Sequence, residues 1–281
     1  MPNTVDALMV GGVELFSSFD GGQILNLMND WPSYHTGTSA HADIHAIVPH
    51  TNYGDGEEIR IYIGNDGGIQ EAMDGIQTQP NSGWRNLANG LGITQFYGAD
   101  VTPFGEVILG GTQDNDDIRY TAGQGTNSWY QAETGDGTFT AIDPDNPGYM
   151  YACYPRLVMQ RSTNGGATYH QIVEGLADAG DRNRALFVSP FALDKIDPTI
   201  LIAGGRSIWK SEDRGSNWFE LEGPIVSGAR ASVVEIAPTG SETIWIGYET
   251  GEVRKTENGG YSWVDVAHAF DALPDTVVTD I

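Results

Sequence analysis

Four short segments hold the residues best suited to chemistry. In His41-Ala42-Asp43-Ile44-His45, a spacing of two places His41, Asp43 and His45 on one face of an extended strand, with Ala42, Ile44 and Ala46 on the other. Two imidazoles and a carboxylate in a line offer ligands for a divalent cation such as Ca²⁺ or Zn²⁺, or a base that activates water. The loops around Asn65-Asp66, Gln113-Asp114-Asn115-Asp116 and Asp136 add carboxylates, each beside glycine that permits a sharp turn. If these loops share one face with His41 and Asp43, the cluster is strongly electronegative and attracts a cation. The same residues also suit plain structural duties, the histidines as ties to neighbouring strands and the aspartates as turn formers.

These segments need elements to hold them, and the chain supplies a repeat. The pattern S-x-[DN]-x-G-x-x-[WY] occurs at Ser162–Tyr169, Ser211–Trp218 and, with threonine first, Thr256–Trp263; decayed copies lie at Ser18-Phe19-Asp20-Gly21-Gly22 and at Met73-Asp74-Gly75. The aromatics Trp84, Trp129, Tyr169, Trp218 and Trp263 follow one another at intervals of 45, 40, 49 and 45 residues, the length of a four-stranded propeller blade. Before each turn comes a pair of short apolar or alternating runs, such as IYIG with GIQEA and MYACY with LVMQRS. Ahead of each pair lies a further strand, read at HADIHAIVP, QFYGADVTP, FTAIDPDNP, ALFVSP and SVVEIAP.

The expected fold is all-β, a single propeller domain over residues 1–281 with six four-stranded blades, seven being the alternative. The first blade lacks an inner strand at the N-terminus, while Asp275–Ile281 has that pattern, so the C-terminus is expected to complete the first blade and close the ring.

Composition narrows the function classes. Acidic residues outnumber basic ones 38 to 14, for a formal charge of −24, which repels phosphate backbones and excludes nucleic acid as a partner. No run of 18 apolar residues offers a membrane span. Cys153 is the only cysteine, so the fold relies on burial rather than an intrachain disulfide. The N-terminal MPNTVDALMV lacks the basic region and long apolar core of a secretory signal, so such a signal was removed or never present; the expected location is extracellular or at the cell surface.

The repeated turns resemble those of the Asp-box (BNR repeat) propellers, which include sialidases, xyloglucanases, sortilin-type receptors and photosystem II assembly factors. The resemblance covers essentially the whole chain and implies that Asp20, Asn164, Asp213 and Asn258 are turn residues rather than catalysts. More narrowly, HADIHAI, GNDGGI, GTQDN and GDG, in that order, resemble bacterial secreted proteins described as glycosyl-hydrolase-like. GNDGG is similar to the TD-x-GG stretch that carries a catalytic aspartate in xyloglucanases, which makes Asp66 a candidate general acid or base. This sequence departs from that stretch at Asn65 and after the glycines, and those enzymes form their cleft from two propellers. Hydrolysis of a glycosidic bond needs two carboxyls about 5–10 Å apart, and Asp66 with Asp114 or Asp136 is the candidate catalytic set. The sialidase requirements, an F-R-I-P stretch above all, are not met.

Gln95, Tyr97, Gln113, Asn115, Arg184 and Arg230 are candidate binding residues: the tyrosine to stack on a sugar ring, the amides and guanidiniums to hydrogen-bond a glycan. Packing between blades and pairing with surplus carboxylates are the competing duties of these aromatics and arginines. Two readings stay open: a glycan-directed propeller, as a glycoside hydrolase or a polysaccharide binder, and a non-catalytic scaffold that offers its rim to a protein partner in a larger surface assembly.

Overall fold

The computed structural model describes residues 6–51, 59–126, 128–131, 135–221, 226, 228–266 and 276–281. They belong to two compact units, Met1–Thr94 and Gln95–Ile281.

The first unit contains two antiparallel sheets. One has three strands in chain order, β1 (Leu8–Gly11), β2 (Leu15–Ser18) and β3 (Asn26–Leu27). A 3₁₀ turn over Trp31–Thr36 follows, opened by Pro32 and stopped by Gly37 in the left-handed region. The other sheet has four strands, β4 (Ile44–Pro49), β5 (Ile61–Asn65), β6 (Gly68–Ala72) and β7 (Trp84–Asn86). Leu15, Ile61, Ile63, Ala72 and Trp84 form their shared core. The Trp84 indole donates to the Met28 carbonyl at 3.2 Å, tying the second sheet to the first.

The second unit contains four sheets of four strands, each a meander in chain order. They are β8 (Phe96–Val101), β9 (Val107–Thr112), β10 (Asp116–Thr121) and β11 (Trp129–Gln131), then β12 (Thr140–Ile142), β13 (Met150–Tyr154), β14 (Val158–Ser162) and β15 (His170–Gln171). Next come β16 (Phe191–Leu193), β17 (Leu201–Gly204), β18 (Ile208–Ser211) and β19 (Phe219–Leu221), and finally β20 (Ala231–Ile236), β21 (Ile244–Tyr248), β22 (Val253–Thr256) and β23 (Val264–Asp265). The leading strands β8, β12, β16 and β20 are successive neighbours, as inner strands of propeller blades are. Interior strands such as β13 and β17 are packed on both faces, so Met150–Cys153 and Leu201–Gly204 are buried without alternation. Each fully buried Leu or Ile here contributes about 1.5–3 kcal/mol.

The all-β class and the six sheets match the sequence reading. The repeated turn has one geometry at Ser18, Ser162, Ser211 and Thr256. The hydroxyl donates to the acidic or amide oxygen two residues on and accepts the N–H of the glycine four residues on. That oxygen in turn accepts a backbone N–H four residues further, at 2.9–3.0 Å. The glycines Gly22, Gly166, Gly215 and Gly260 all have positive φ, which a side chain would strain. At Asp74 the serine is missing, and the carboxylate alone caps the turn through Ile76 and Gln77.

Two expectations need correction. The strand read at Ala185–Pro190 lies instead at Phe191–Leu193, because Asp181 organises a turn through Ala185 and the Pro190 carbonyl is taken by Gly204. The first sheet has three strands rather than four. Of the expected closing strand, Asp275 lies outside the described residues; among 276–281, which carry no strand assignment, Val278 donates to the Tyr248 carbonyl and accepts from Ser232.

Candidate functional site

In the first unit, the segment entering β4 does not run as a regular strand. Asp43 has φ +60, and the β4–β5 register shifts between Ile44 and Ala46, so the alternation that would align His41, Asp43 and His45 is broken. His41 is instead buried, with its ring edge-on to Tyr34 at 4.3 Å and Nδ1 3.1 Å from the Ala42 carbonyl. Gly67 makes room for it: a Cβ there would lie 2.6 Å from the imidazole. The backbone N–H of Asp43 is held by the Val13 carbonyl at 3.1 Å, which fixes this residue beside the β5–β6 turn.

His45 points outward and meets Asp66, with Nε2 and Oδ1 2.5 Å apart. Asp43 and Asp66 bring carboxylate oxygens within 4.8 Å of each other. The structure therefore gathers Asp43, His45 and Asp66 and leaves His41 behind them. A carboxylate fixed by an imidazole, with a second carboxylate beside it, can accept or deliver a proton, and the two carboxylates can share a hard cation.

In the second unit, the β9–β10 turn carries the TQDN residues. Gln113 is fixed by its N–H to the Gln95 carbonyl at 2.9 Å, and the Asn115 amide returns to the Gln113 carbonyl at 3.1 Å. Asp114 and Asp116 have φ +57 and +60, a conformation that aspartate tolerates better than most side chains. Asp136 accepts the Asp114 N–H at 3.0 Å, and the Gly135 carbonyl accepts the Asp116 N–H at 2.8 Å, so the GDG loop is stitched onto the turn. Gly111 allows this approach: a Cβ there would lie 1.9 Å from the Thr138 carbonyl oxygen. The Tyr97 hydroxyl is pushed above its ordinary value, first by burial and then by the negative charges of Asp136 and Asp114. Tyr97, Asp114 and Asp136 thus form one acidic neighbourhood, joined to Gln95, Gln113 and Asn115 through backbone contacts.

The two arginines belong elsewhere. Arg184 donates to Asp178 at 3.0 Å, and Arg230 grips Glu249 through two bonds of 2.8 Å. Both guanidiniums are committed to carboxylates, the competing duty named for them above. Sequence reading missed Asp178, which is fully buried, holds Arg184 and accepts the Ser207 N–H at 2.8 Å. Nothing local marks that aspartate. The His45–Asp66 contact rests on the β4–β5 bulge, which leaves His45 between the pairs Ile44–Asn65 and Ala46–Gly64, and the local sequence does not mark it either.

No protein-family model matches the chain, and no curated protein matches it. Among solved structures it is similar to a GH74 enzyme of Niastella koreensis, at 18% identity with a TM-score of 0.53, covering 90% of this chain and 36% of that one. An ancestral GH74 enzyme and the GH74 xyloglucanase of Xanthomonas campestris align at 13% and 14% identity, each over 91% of this chain and over 35% and 42% of theirs, with TM-scores of 0.47 and 0.45. The chain therefore spans well under half the length of each. The first similarity is one of fold, a propeller of antiparallel blades.

Proposed function

We propose that this chain is a glycan-directed Asp-box propeller of glycoside-hydrolase type, acting on polysaccharide outside the cell or at its surface. Asp66 is the principal carboxylate, Asp43 is the second, and His45 orients Asp66. The observation that carries this reading is the 2.5 Å contact between His45 and Asp66, with Asp43 within 4.8 Å. With carboxylate oxygens within 4.8 Å the pair sits too close to hold a water between them, so one carboxyl protonates the leaving oxygen while the other is the nucleophile, the closely spaced arrangement of retaining hydrolysis. The propeller fold shared with a GH74 enzyme and the GNDGG resemblance support the ligand class. Tyr97, Asp114 and Asp136 offer a polar surface for sugar hydroxyls, with the tyrosine ring as a stacking face. The test is incubation with soluble neutral polysaccharides, xyloglucan and mixed-linkage glucan among them, followed by assay of new reducing ends. Their appearance supports hydrolysis, and binding without cleavage restricts the function to recognition.

The same pair of carboxylates favours a cation reading as well. Oxygen donors from Asp43 and Asp66 suit Ca²⁺ better than Zn²⁺, which prefers nitrogen and sulfur. Chelator treatment should then lower the melting temperature, and added Ca²⁺ should restore it; unchanged melting contradicts this second reading.

A further inference from the structure

Apart from Tyr97, Asp114 and Asp136, the second unit carries a groove of about 450 Å³ between strand β19 and the turn that follows β22. Phe219, Leu221 and Tyr261 line it. Gly260, at φ +103, lets the turn close on Leu221; a Cβ there would lie 3.0 Å from that side chain. Lys210 and Glu220 supply polar groups on the β18–β19 side, with Lys210 paired to Glu212 at 2.8 Å. Tyr261 is 93% exposed and Phe219 45% exposed. In the other copies of this turn, the position after the second glycine holds Gln23, Ala167 or Ser216, so the turn itself does not require an aromatic.

We infer that this groove is a second carbohydrate-binding site, which seats a neutral sugar unit of a polysaccharide against Tyr261 and Phe219. The inference shares its ligand class with the proposed function and rests on that reading for the source of the sugar, but it uses separate residues. An aromatic pair beside carboxylates and an ammonium matches a pyranose, whose apolar C–H face stacks on rings while its hydroxyls bond to charged groups. The groove volume lies in the range of small-molecule sites. With Glu212 and Glu220 against Lys210, and a chain charge of −24, an anionic glycan is disfavoured.

The test is isothermal titration of the full chain with xyloglucan, mixed-linkage glucan and polygalacturonate. Wild type, Tyr261→Ala, Phe219→Ala and Asp66→Asn are compared, with melting temperatures as the control for folding. The expected result is binding of a neutral glucan, weakened at least tenfold by Tyr261→Ala or Phe219→Ala. Wild-type affinity in both aromatic variants overturns the inference, as does a lack of neutral-glucan binding or a preference for polygalacturonate. Aromatic-dependent binding with reducing-end release unaltered by Asp66→Asn leaves the groove standing and overturns the catalytic reading alone.

Discussion

His45 Nε2 and Asp66 Oδ1 meet at 2.5 Å, although 21 residues separate them along the chain. The contact follows from the irregular β4–β5 register: Ile44 pairs with Asn65 and Ala46 with Gly64, so His45 is the extra residue of a bulge and its side chain reaches Asp66. An imidazole in this position fixes which carboxylate oxygen is directed outward.

As a positioning residue, His45 should act through Asp66. His45→Ala is expected to lower kcat on a polysaccharide by about 10- to 100-fold, the usual effect of losing a group that orients a functional side chain. KM should change little, and His45→Gln, which keeps a hydrogen-bond donor, should recover part of the loss. An equal fall in both variants, or an effect on KM alone, contradicts the assignment.

The repeated turn predicts a stability effect. Ser211 is fully buried, donates to Asp213 at 2.9 Å and accepts the Gly215 N–H at 2.8 Å. Ser211→Ala leaves that N–H without its partner and should cost about 1–3 kcal/mol. Denaturant unfolding measures this as a lowered midpoint at unchanged slope.

The pair Arg230–Glu249 predicts a pH dependence. The Arg230 guanidinium hydrogen-bonds Glu249 and holds its carboxyl below the usual range, against the opposing effect of burial. A depressed folded value contributes stability above the unfolded value, about 4.3, that is lost as pH falls through the folded one. Glu249→Gln should therefore destabilise the protein by about 1 kcal/mol at pH 7, a modest figure because both side chains are partly exposed. The difference from wild type should shrink as pH drops below 4 and vanish in strong acid. A constant difference from pH 7 to 2 argues against the ion pair.

Cys153 predicts an unreactive thiol. It lies on β13 with no exposed surface, and burial pushes the thiol up to about 12, so it stays protonated near neutrality. Ellman's reagent at pH 8 should label it only after unfolding in guanidinium. Rapid labelling of the native protein contradicts the packing of β13.

The sequence made the blades legible because their signals are local. The turn at Ser162 is a set of contacts between residues two and four apart, and strands such as Met150–Tyr154 stand out as compact apolar runs. The failures have physical causes of two kinds. At Asp43, a positive φ and a register shift override the two-residue period, so His41 turns inward and His45 outward. At Ala185–Pro190, apolar residues suggested a strand, yet the backbone there is held by turn contacts and the ladder begins one residue after the proline. The candidate groups were visible by residue type but not by partner. The contact of Asp66 with His45 and the bond from Asp114 to Asp136 depend on strand register and loop docking, which lie beyond local pattern.

The most direct test of the central claim compares reducing-end release from soluble neutral polysaccharides by the wild-type chain, Asp66→Asn and Asp43→Asn. Both amides keep the size of the side chain and remove its acid–base capacity. The account predicts release by the wild type and losses of about 10²–10⁴-fold in each variant, with melting temperatures unchanged. Wild-type rates in Asp66→Asn would contradict it.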